Sequence, residues 1–152
     1  MREAVVPITI LLADDDPEDC MLAKDALSES KLANDLYVVE DGEELLDFLY
    51  QRGKYSPETA PRPGIILLDL NMPRLDGREA LAKIKSDSSL RAIPVVVLTT
   101  SKAEEDIYRT YDLGANSYIT KPVSFDGLVG VIRTLADYWF GIVRLPHSAD
   151  GS

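Results

Sequence analysis

Seven polar residues that could do chemistry each follow closely on a short apolar run. The most prominent is Asp69, which ends the aliphatic run at 65–68 and is followed at once by polar and turn-forming residues. A buried strand that delivers one carboxylate to its carboxyl end has this pattern, and open α/β sheets bind ligands just outside those ends. The seven residues are Asp14, Asp15, Asp16, Asp69, Thr99, Thr100 and Lys121.

These residue types together indicate phosphoryl transfer. Carboxylates held close together repel one another unless a cation joins them, and oxygen ligands with open positions suit Mg²⁺, with Mn²⁺ as an alternative. Lys121 would supply a positive charge and Thr99 a hydroxyl donor for a phosphoryl group, while an aspartate can form an aspartyl-phosphate. The set therefore predicts Mg²⁺-dependent transfer onto a carboxylate. Asp16, next to Pro17, is interpreted instead as a helix N-cap.

Short apolar runs that alternate with amphipathic stretches predict the elements that position these residues. Five β–α units of this kind indicate an α/β fold, with a parallel sheet covered by helices on both faces. A flavodoxin-like, doubly wound sheet of order 2-1-3-4-5 is the expected architecture. The predicted strands are 8–13, 36–39, 65–68, 95–98 and 117–120, and the predicted helices are 17–29, 42–51, 78–85, 103–113 and 125–140.

The bulk properties favour one soluble domain. The chain has 152 residues, a net charge of −10 and one cysteine, Cys20, which we interpret as a small core residue. The charge argues against direct DNA binding and against contact with an acidic membrane. A single cysteine fits a reducing compartment, the chain has no apolar run of about 18 residues, and we expect no secretory signal. We therefore expect a cytoplasmic protein.

The motifs around these residues resemble the receiver domain of a two-component response regulator. The resemblance covers about residues 7–138 and rests on five separated motifs in the family's order. They are Leu12-Ala13-Asp14-Asp15-Asp16, Leu68-Asp69-Leu70-Asn71-Met72-Pro73 with Asp76-Gly77, Pro94 through Thr99-Thr100, Gly114-Ala115, and Tyr118-Ile119-Thr120-Lys121-Pro122.

The resemblance implies a role for each matching residue. Asp69 would accept a phosphoryl group from a sensor histidine kinase. The metal would be held by Asp14, Asp15, Asp69 and the backbone carbonyl of Asn71. Thr99, Thr100 and Lys121 would contact the phosphoryl group or control access to it, and Tyr118 would be the aromatic switch residue that moves with Thr99. All eight residues, Asp14, Asp15, Asp69, Asn71, Thr99, Thr100, Tyr118 and Lys121, are present in the sequence.

A narrower resemblance links the chain to the single-domain regulators that partner bacterial and cyanobacterial phytochromes. It rests on the segments 53–63, 76–79 and 138–146, the last of which lies almost entirely in the C-terminal extension at 139–152. It implies a phytochrome kinase as partner and a homodimer formed through helix 4, strand 5, helix 5 and the extension. The large apolar residues of the extension either join that dimer or fold back on their own domain. They are Trp139, Phe140, Ile142, Val143 and Leu145.

Three other classes of protein compete with the receiver-domain interpretation. A haloacid-dehalogenase-type enzyme also uses an aspartate nucleophile and Mg²⁺, but it needs a second acid two residues later, where this chain has Asn71. A dinucleotide-binding module is disfavoured because no G-x-G-x-x-G motif follows the first strand. A phosphorylation-independent interaction domain remains an alternative. Only seven residues follow Leu145, so we expect output through protein contacts or onward phosphotransfer rather than through an attached DNA-binding domain.

Overall fold

The structure, a computed structural model, describes residues 8–28, 34–122 and 124–135. Strands and helices alternate along this part of the chain. The strands are β1 (Ile8–Ala13), β2 (Asn34–Val39), β3 (Ile65–Leu68), β4 (Val95–Thr99) and β5 (Ser117–Thr120). The helices are α1 (Pro17–Ser28), α2 (Gly42–Tyr50), α3 (Gly77–Ser86), α4 (Glu104–Leu113) and α5 (Phe125–Leu135).

The five strands form one parallel sheet in the order β2-β1-β3-β4-β5, which confirms the predicted flavodoxin-like architecture. The order reverses between β1 and β3, so the chain leaves the carboxyl ends of these two neighbouring strands in opposite directions. A crevice forms at such a switch point. The register places Ala13 opposite Leu68, and Asp14 and Asp69 are therefore the residues that immediately follow a paired position.

The core has two halves because successive side chains of a strand point to opposite faces of the sheet. Leu68 of β3 belongs to the half that α2 and α3 cover, and Leu67 belongs to the half that α1 and α5 cover. The central strands β3 and β4 are buried at every position. This double coverage explains why their sequences are continuously aliphatic rather than alternating.

Element boundaries differ from the predictions where pairing or capping, rather than hydrophobicity, sets the end. β2 begins at Asn34, two residues before the predicted start, because Asn34 and Asp35 pair with the first two residues of β1. β4 includes Thr99, which pairs with Thr120. α3 begins at Gly77 because the Asp76 carboxylate caps it by accepting a hydrogen bond from the Arg78 N–H, 2.7 Å away.

The predicted Asp16 cap and the cysteine prediction agree with the structure. Asp16 accepts a hydrogen bond from the Glu18 backbone N–H at 2.9 Å, and Asp41 caps α2 in the same way through Glu44. Cys20 is partly buried and packs against the core half that α1 and α5 cover. Burial raises the pKa of its thiol to about 12, so the side chain is a neutral, unreactive packing group.

The long connection between α2 and β3 is anchored to α2. The Tyr55 ring packs edge-on against Phe48, with the centroids 5.1 Å apart, and its hydroxyl donates to Glu44 at 2.7 Å. The Gln51 side-chain amide donates to the Ala60 carbonyl at 2.9 Å, and Ala60 itself is buried. The connection is therefore an ordered part of this face of the domain.

The predicted C-terminal extension, including Trp139, Phe140, Ile142, Val143 and Leu145, lies outside the described residues. Its part in a dimer and the prediction of a single domain stay predictions. Across the described ranges, the helices are too short or too polar to cross a membrane.

Gly77 lies where the start of α3 crosses the end of β3, and a side chain does not fit there. A Cβ atom would lie 2.3 Å from the Asp69 carbonyl oxygen and 2.7 Å from Leu70 Cα, both in the backbone. We expect Gly77→Ala to lower the free energy of unfolding by about 1–3 kcal/mol, because the loop carrying Asp69 must shift. The measurement is urea denaturation followed by circular dichroism.

Gly130 supplies the matched control for this substitution. It is exposed within α5, and a Cβ there meets no atom within 4 Å. Gly130→Ala should raise stability by roughly 0.5–1 kcal/mol, because alanine is the better helix former. If Gly77→Ala is as stable as the parent protein, α3 does not approach the Asp69 backbone as closely as described.

Candidate functional site

The backbone brings the predicted site residues to one edge of the sheet. The Asp14 N–H donates to the Val39 carbonyl at 3.0 Å, and the Asp69 N–H donates to the Ala13 carbonyl at 2.9 Å. On the other side of the crevice, the Lys121 N–H donates to the Thr99 carbonyl at 2.7 Å. These bonds continue the strand pairing by one step beyond the sheet, so the side chains that follow the strands start from fixed positions.

Asp69 is buried, with only 6% of its surface exposed, and both carboxylate oxygens are engaged. Its Oδ1 accepts hydrogen bonds from the Thr99 hydroxyl at 2.8 Å and from the Asn71 backbone N–H at 3.0 Å. Its Oδ2 accepts a hydrogen bond from Lys121 Nζ at 2.9 Å. Three donors from three parts of the chain therefore fix the orientation of this carboxylate.

Lys121 joins three carboxylates that come from different elements. Its Nζ donates to Asp14 and Asp19 at 2.7 Å each, in addition to its bond to Asp69. The lysine is itself buried, with 7% of its surface exposed. An ammonium group has three N–H donors, and here each one has a carboxylate acceptor.

The charges of this cluster hold one another in place. Burial raises the pKa of Asp14 to about 6, against the opposing effect of hydrogen bonds from Lys121 and the Asp16 N–H. Burial would lower the pKa of Lys121, but the hydrogen bonds to Asp14 and Asp19 raise it above its ordinary value. The lysine is therefore a permanent cation between buried acids.

The acids at the strand ends fit a divalent metal ion. One carboxylate oxygen from each of Asp14, Asp15 and Asp69 lies within 4.8 Å of the other two. Asp14 and Asp69 are buried, whereas Asp15 is exposed and leaves one side open. Hard oxygen ligands with an open side suit Mg²⁺ or Mn²⁺ coordinated also by water and substrate oxygens.

The remaining predicted site residues lie around this centre. Thr100 is exposed just beyond β4, and Asn71 is exposed beyond Asp69. Tyr118 is partly buried against the core half that α2 and α3 cover, and its hydroxyl donates to the Ser101 carbonyl at 3.0 Å. Asp16 caps α1, as predicted, and among the described residues it is not one of the three acids close enough together to hold a metal.

An ion pair ties the start of α4 to the start of α3, next to the crevice. The Arg78 guanidinium makes two bonds of 2.6 Å to the Asp106 carboxylate and a third, of 3.0 Å, to Asp76. The Ser101 hydroxyl donates to the same Asp106 carboxylate at 2.6 Å. The hydrogen bonds from Arg78 and Ser101 lower the pKa of Asp106 to about 2. The β4–α4 connection is therefore held by side-chain contacts at Ser101 and at Asp106.

Two of these contacts were missed by the sequence reasoning. Asp19 lies three residues after the N-cap Asp16, so the predicted start of α1 at Pro17 placed it in the first turn of the helix, near the strand ends. Acids are common in the first turn of a helix because they interact favourably with the helix dipole, so this position alone did not identify Asp19 as a site residue. Nothing in the sequence indicated that Arg78 pairs with Asp106, because that contact joins two different helices.

The chain belongs to the family of response regulator receiver domains. The family model, described as "Response regulator receiver domain", matches residues 10–133. Response regulator Rcp1 of Synechocystis sp. is 42% identical over 144 residues, which cover 95% of this chain and 97% of Rcp1. The probable methanogenesis regulatory protein FilR2 of Methanothrix harundinacea is 39% identical over 149 residues, which cover 97% of this chain and 93% of FilR2.

Solved structures give the same result. The Mn²⁺-bound form of Rcp1 superposes with a TM-score of 0.89 at 42% identity, covering 93% of this chain and all of that chain. The phosphorylated cyanobacterial phytochrome response regulator RcpA gives a TM-score of 0.89 and 42% identity over the same shares. The predicted family is therefore confirmed, and its members include proteins solved with bound metal and in a phosphorylated state.

Proposed function

We propose that this chain is a single-domain response regulator that accepts a phosphoryl group on Asp69 from a sensor histidine kinase. The observation that carries the proposal is the buried Asp69 carboxylate, held between the Thr99 hydroxyl and the Lys121 ammonium beside two further acids. Asn71, two residues after Asp69, supplies no second carboxylate for acid–base chemistry, which favours a phosphoacceptor over a dehalogenase-type hydrolase.

In this reaction an Asp69 oxygen attacks the phosphorus of a phosphohistidine. The new P–O bond forms as the P–N bond breaks, and the departing imidazole retains the bonding electrons and takes up a proton from water. Lys121 and Thr99 already donate to Asp69, so they are placed to donate to the phosphoryl oxygens. Donors fixed before the reaction stabilise developing charge without having to reorganise.

We assign the divalent metal, Mg²⁺ or Mn²⁺, to Asp14, Asp15 and Asp69, with the backbone carbonyl of Asn71 as a further ligand. When bound, the metal neutralises charge on the transferred phosphoryl oxygens. The support is the mutual proximity of the three carboxylates and the chemistry of hard oxygen donors. The exposure of Asp15 leaves room for the donor on that side.

The response to phosphorylation would pass through Thr99 and Tyr118. Movement of the Thr99 hydroxyl toward the phosphoryl group would shift the β4–α4 connection, where Ser101 accepts the Tyr118 hydroxyl bond. Thr100, exposed at the mouth of the crevice, would control the access of water. These roles make the α4–β5 surface the part of the molecule whose shape reports phosphorylation.

The phosphoacceptor is tested with acetyl phosphate and Mg²⁺. The protein should gain one base-labile acyl phosphate, and Asp69→Asn should abolish it because the amide cannot form that bond. Phosphorylation is followed by intact-mass spectrometry and Phos-tag electrophoresis.

Asp25→Asn is the matched control, because it neutralises an exposed acid on α1 away from the crevice. It should be phosphorylated like the parent, and chelation of the metal should stop labelling of both. Persistent labelling of Asp69→Asn would remove Asp69 from the assignment.

We propose a phytochrome-type histidine kinase as the donor. The support is the similarity to RcpA, a phytochrome response regulator, across 93% of this chain. The ordered connection between α2 and β3 lies in one of the segments that carry the resemblance to this group. The chain is also similar to FilR2, whose name refers to methanogenesis, so a histidine kinase that responds to another signal is the alternative donor.

Phosphotransfer from purified kinases discriminates between these inputs. At equal concentrations, we expect kcat/KM for phosphotransfer from an autophosphorylated phytochrome kinase to exceed that from an unrelated histidine kinase by about tenfold or more. Asp69→Asn serves as the unlabelled control. An equal or reversed preference would contradict the phytochrome assignment.

We also propose that the chain forms a homodimer through α4, β5, α5 and the extension at 139–152. Tyr108 on α4 is 83% exposed, and a large aromatic side chain in this position is typical of an interface anchor. The apolar residues of the extension, Trp139 and Phe140 among them, would add to the same surface.

A charge placed on this surface should disrupt self-association. Tyr108→Glu should raise the dimer dissociation constant by at least about tenfold, as measured by sedimentation velocity over a concentration series. Met21→Glu is the matched control, since Met21 is also an exposed apolar residue but lies on α1. Equal effects of the two substitutions would show that α4 is not the interface.

A further inference from the structure

Asp19 differs from the other two acids bound to Lys121 in its relation to the metal. Asp14 and Asp69 belong to the group of carboxylates that could hold a divalent ion, and Asp19 does not belong to that group within the described residues. It projects from the first turn of α1 and reaches the lysine across the crevice, 2.7 Å from its Nζ.

The backbone of Asp19 is held in place by a contact that does not involve the lysine. The Asp16 carboxylate caps α1 by accepting bonds from the Glu18 N–H at 2.9 Å and from the Asp19 N–H at 3.4 Å. The Asp19 side chain is 21% exposed, so its second oxygen can remain hydrated while the first accepts from Lys121. Because the first turn is capped, Asp19 stays within reach of the Lys121 ammonium.

The other two contacts of the lysine must change when the site is used. A divalent cation that draws on the oxygens of Asp14 and Asp69 competes with the ammonium for them and repels it. A phosphoryl group on Asp69 replaces that carboxylate as an acceptor. Without a third partner, the charged end of Lys121 would lose its fixed position when the metal and the phosphoryl group bind.

We propose that Asp19 is a positioning residue, whose carboxylate holds the Lys121 ammonium in the crevice while metal and phosphoryl group take over Asp14 and Asp69. Asp19 touches neither the metal nor the transferred group and acts through the lysine alone. The part concerning the phosphoryl group rests on the proposed phosphotransfer function, whereas the part concerning the metal does not.

The first test follows the Lys121 ammonium protons by nitrogen-15 NMR in Mg²⁺-saturated protein. Asp19→Asn keeps the shape of the side chain and removes its charge. We expect the ammonium protons of this variant to exchange with water about fivefold faster or more, because a charge-assisted hydrogen bond has been weakened.

Glu18→Gln is the matched control, since it removes the same charge from an exposed position on the same helical turn. Its Lys121 protons should exchange as in the parent protein. Equal exchange rates in the parent and Asp19→Asn proteins would overturn the proposal, and this readout requires no phosphorylation.

The second test is a double-mutant cycle on the rate of labelling by acetyl phosphate at saturating Mg²⁺. Asp19→Asn should slow labelling by about fivefold when Lys121 is present and should have no further effect in a Lys121→Met background, because coupled residues are not additive. The same loss in both backgrounds would show that Asp19 acts without the lysine. If the parent protein itself is not labelled, the proposed function fails, and the exchange measurement still decides the role of Asp19.

Discussion

The Lys121 ammonium group, held among three carboxylates, is the interaction on which the site depends. Asp14 and Asp69 are both nearly inaccessible to water, and two buried acids side by side would repel each other strongly without a cation. Removing one partner from a buried ion pair costs about 3–5 kcal/mol, because the remaining charge is left uncompensated. The lysine therefore compensates the charge that this fold buries at Asp14 and Asp69.

The same arrangement bears on the proposed metal site. Lys121 contacts Asp14 and Asp69, two of the three acids proposed to hold a divalent metal, so a bound metal would compete with the lysine for them. The raised pKa of Asp14 reflects how costly it is to bury its charge there.

The crevice is connected to the α4 surface through short, well-formed contacts. Thr99 touches Asp69, and two residues later Ser101 contacts both Asp106 and Tyr118. The Arg78–Asp106 pair then fastens α4 to the helix that begins next to Asp69. A change at the Asp69 carboxylate and a change in the position of α4 would thus involve the same short connection, which supports the proposed route from Asp69 to the α4 surface.

The sequence alone predicted the fold and the residues that meet at one edge of the sheet. The apolar runs followed by Asp14, Asp69, Thr99 and Lys121 predicted the strands, their parallel arrangement and the shared edge, because the carboxyl ends of parallel strands meet at one edge of the sheet. A local signal, Asp16 before Pro17, predicted the cap of α1 in the same way.

Only the tertiary structure decided which acids share the lysine and which helices are tied together. Asp19 and Lys121 are separated by 102 positions, and Arg78 and Asp106 by 28. Such pairs follow from helix placement and side-chain reach, which no local pattern encodes. The start of β2 at Asn34 was likewise set by its pairing with β1 rather than by its own polar residues.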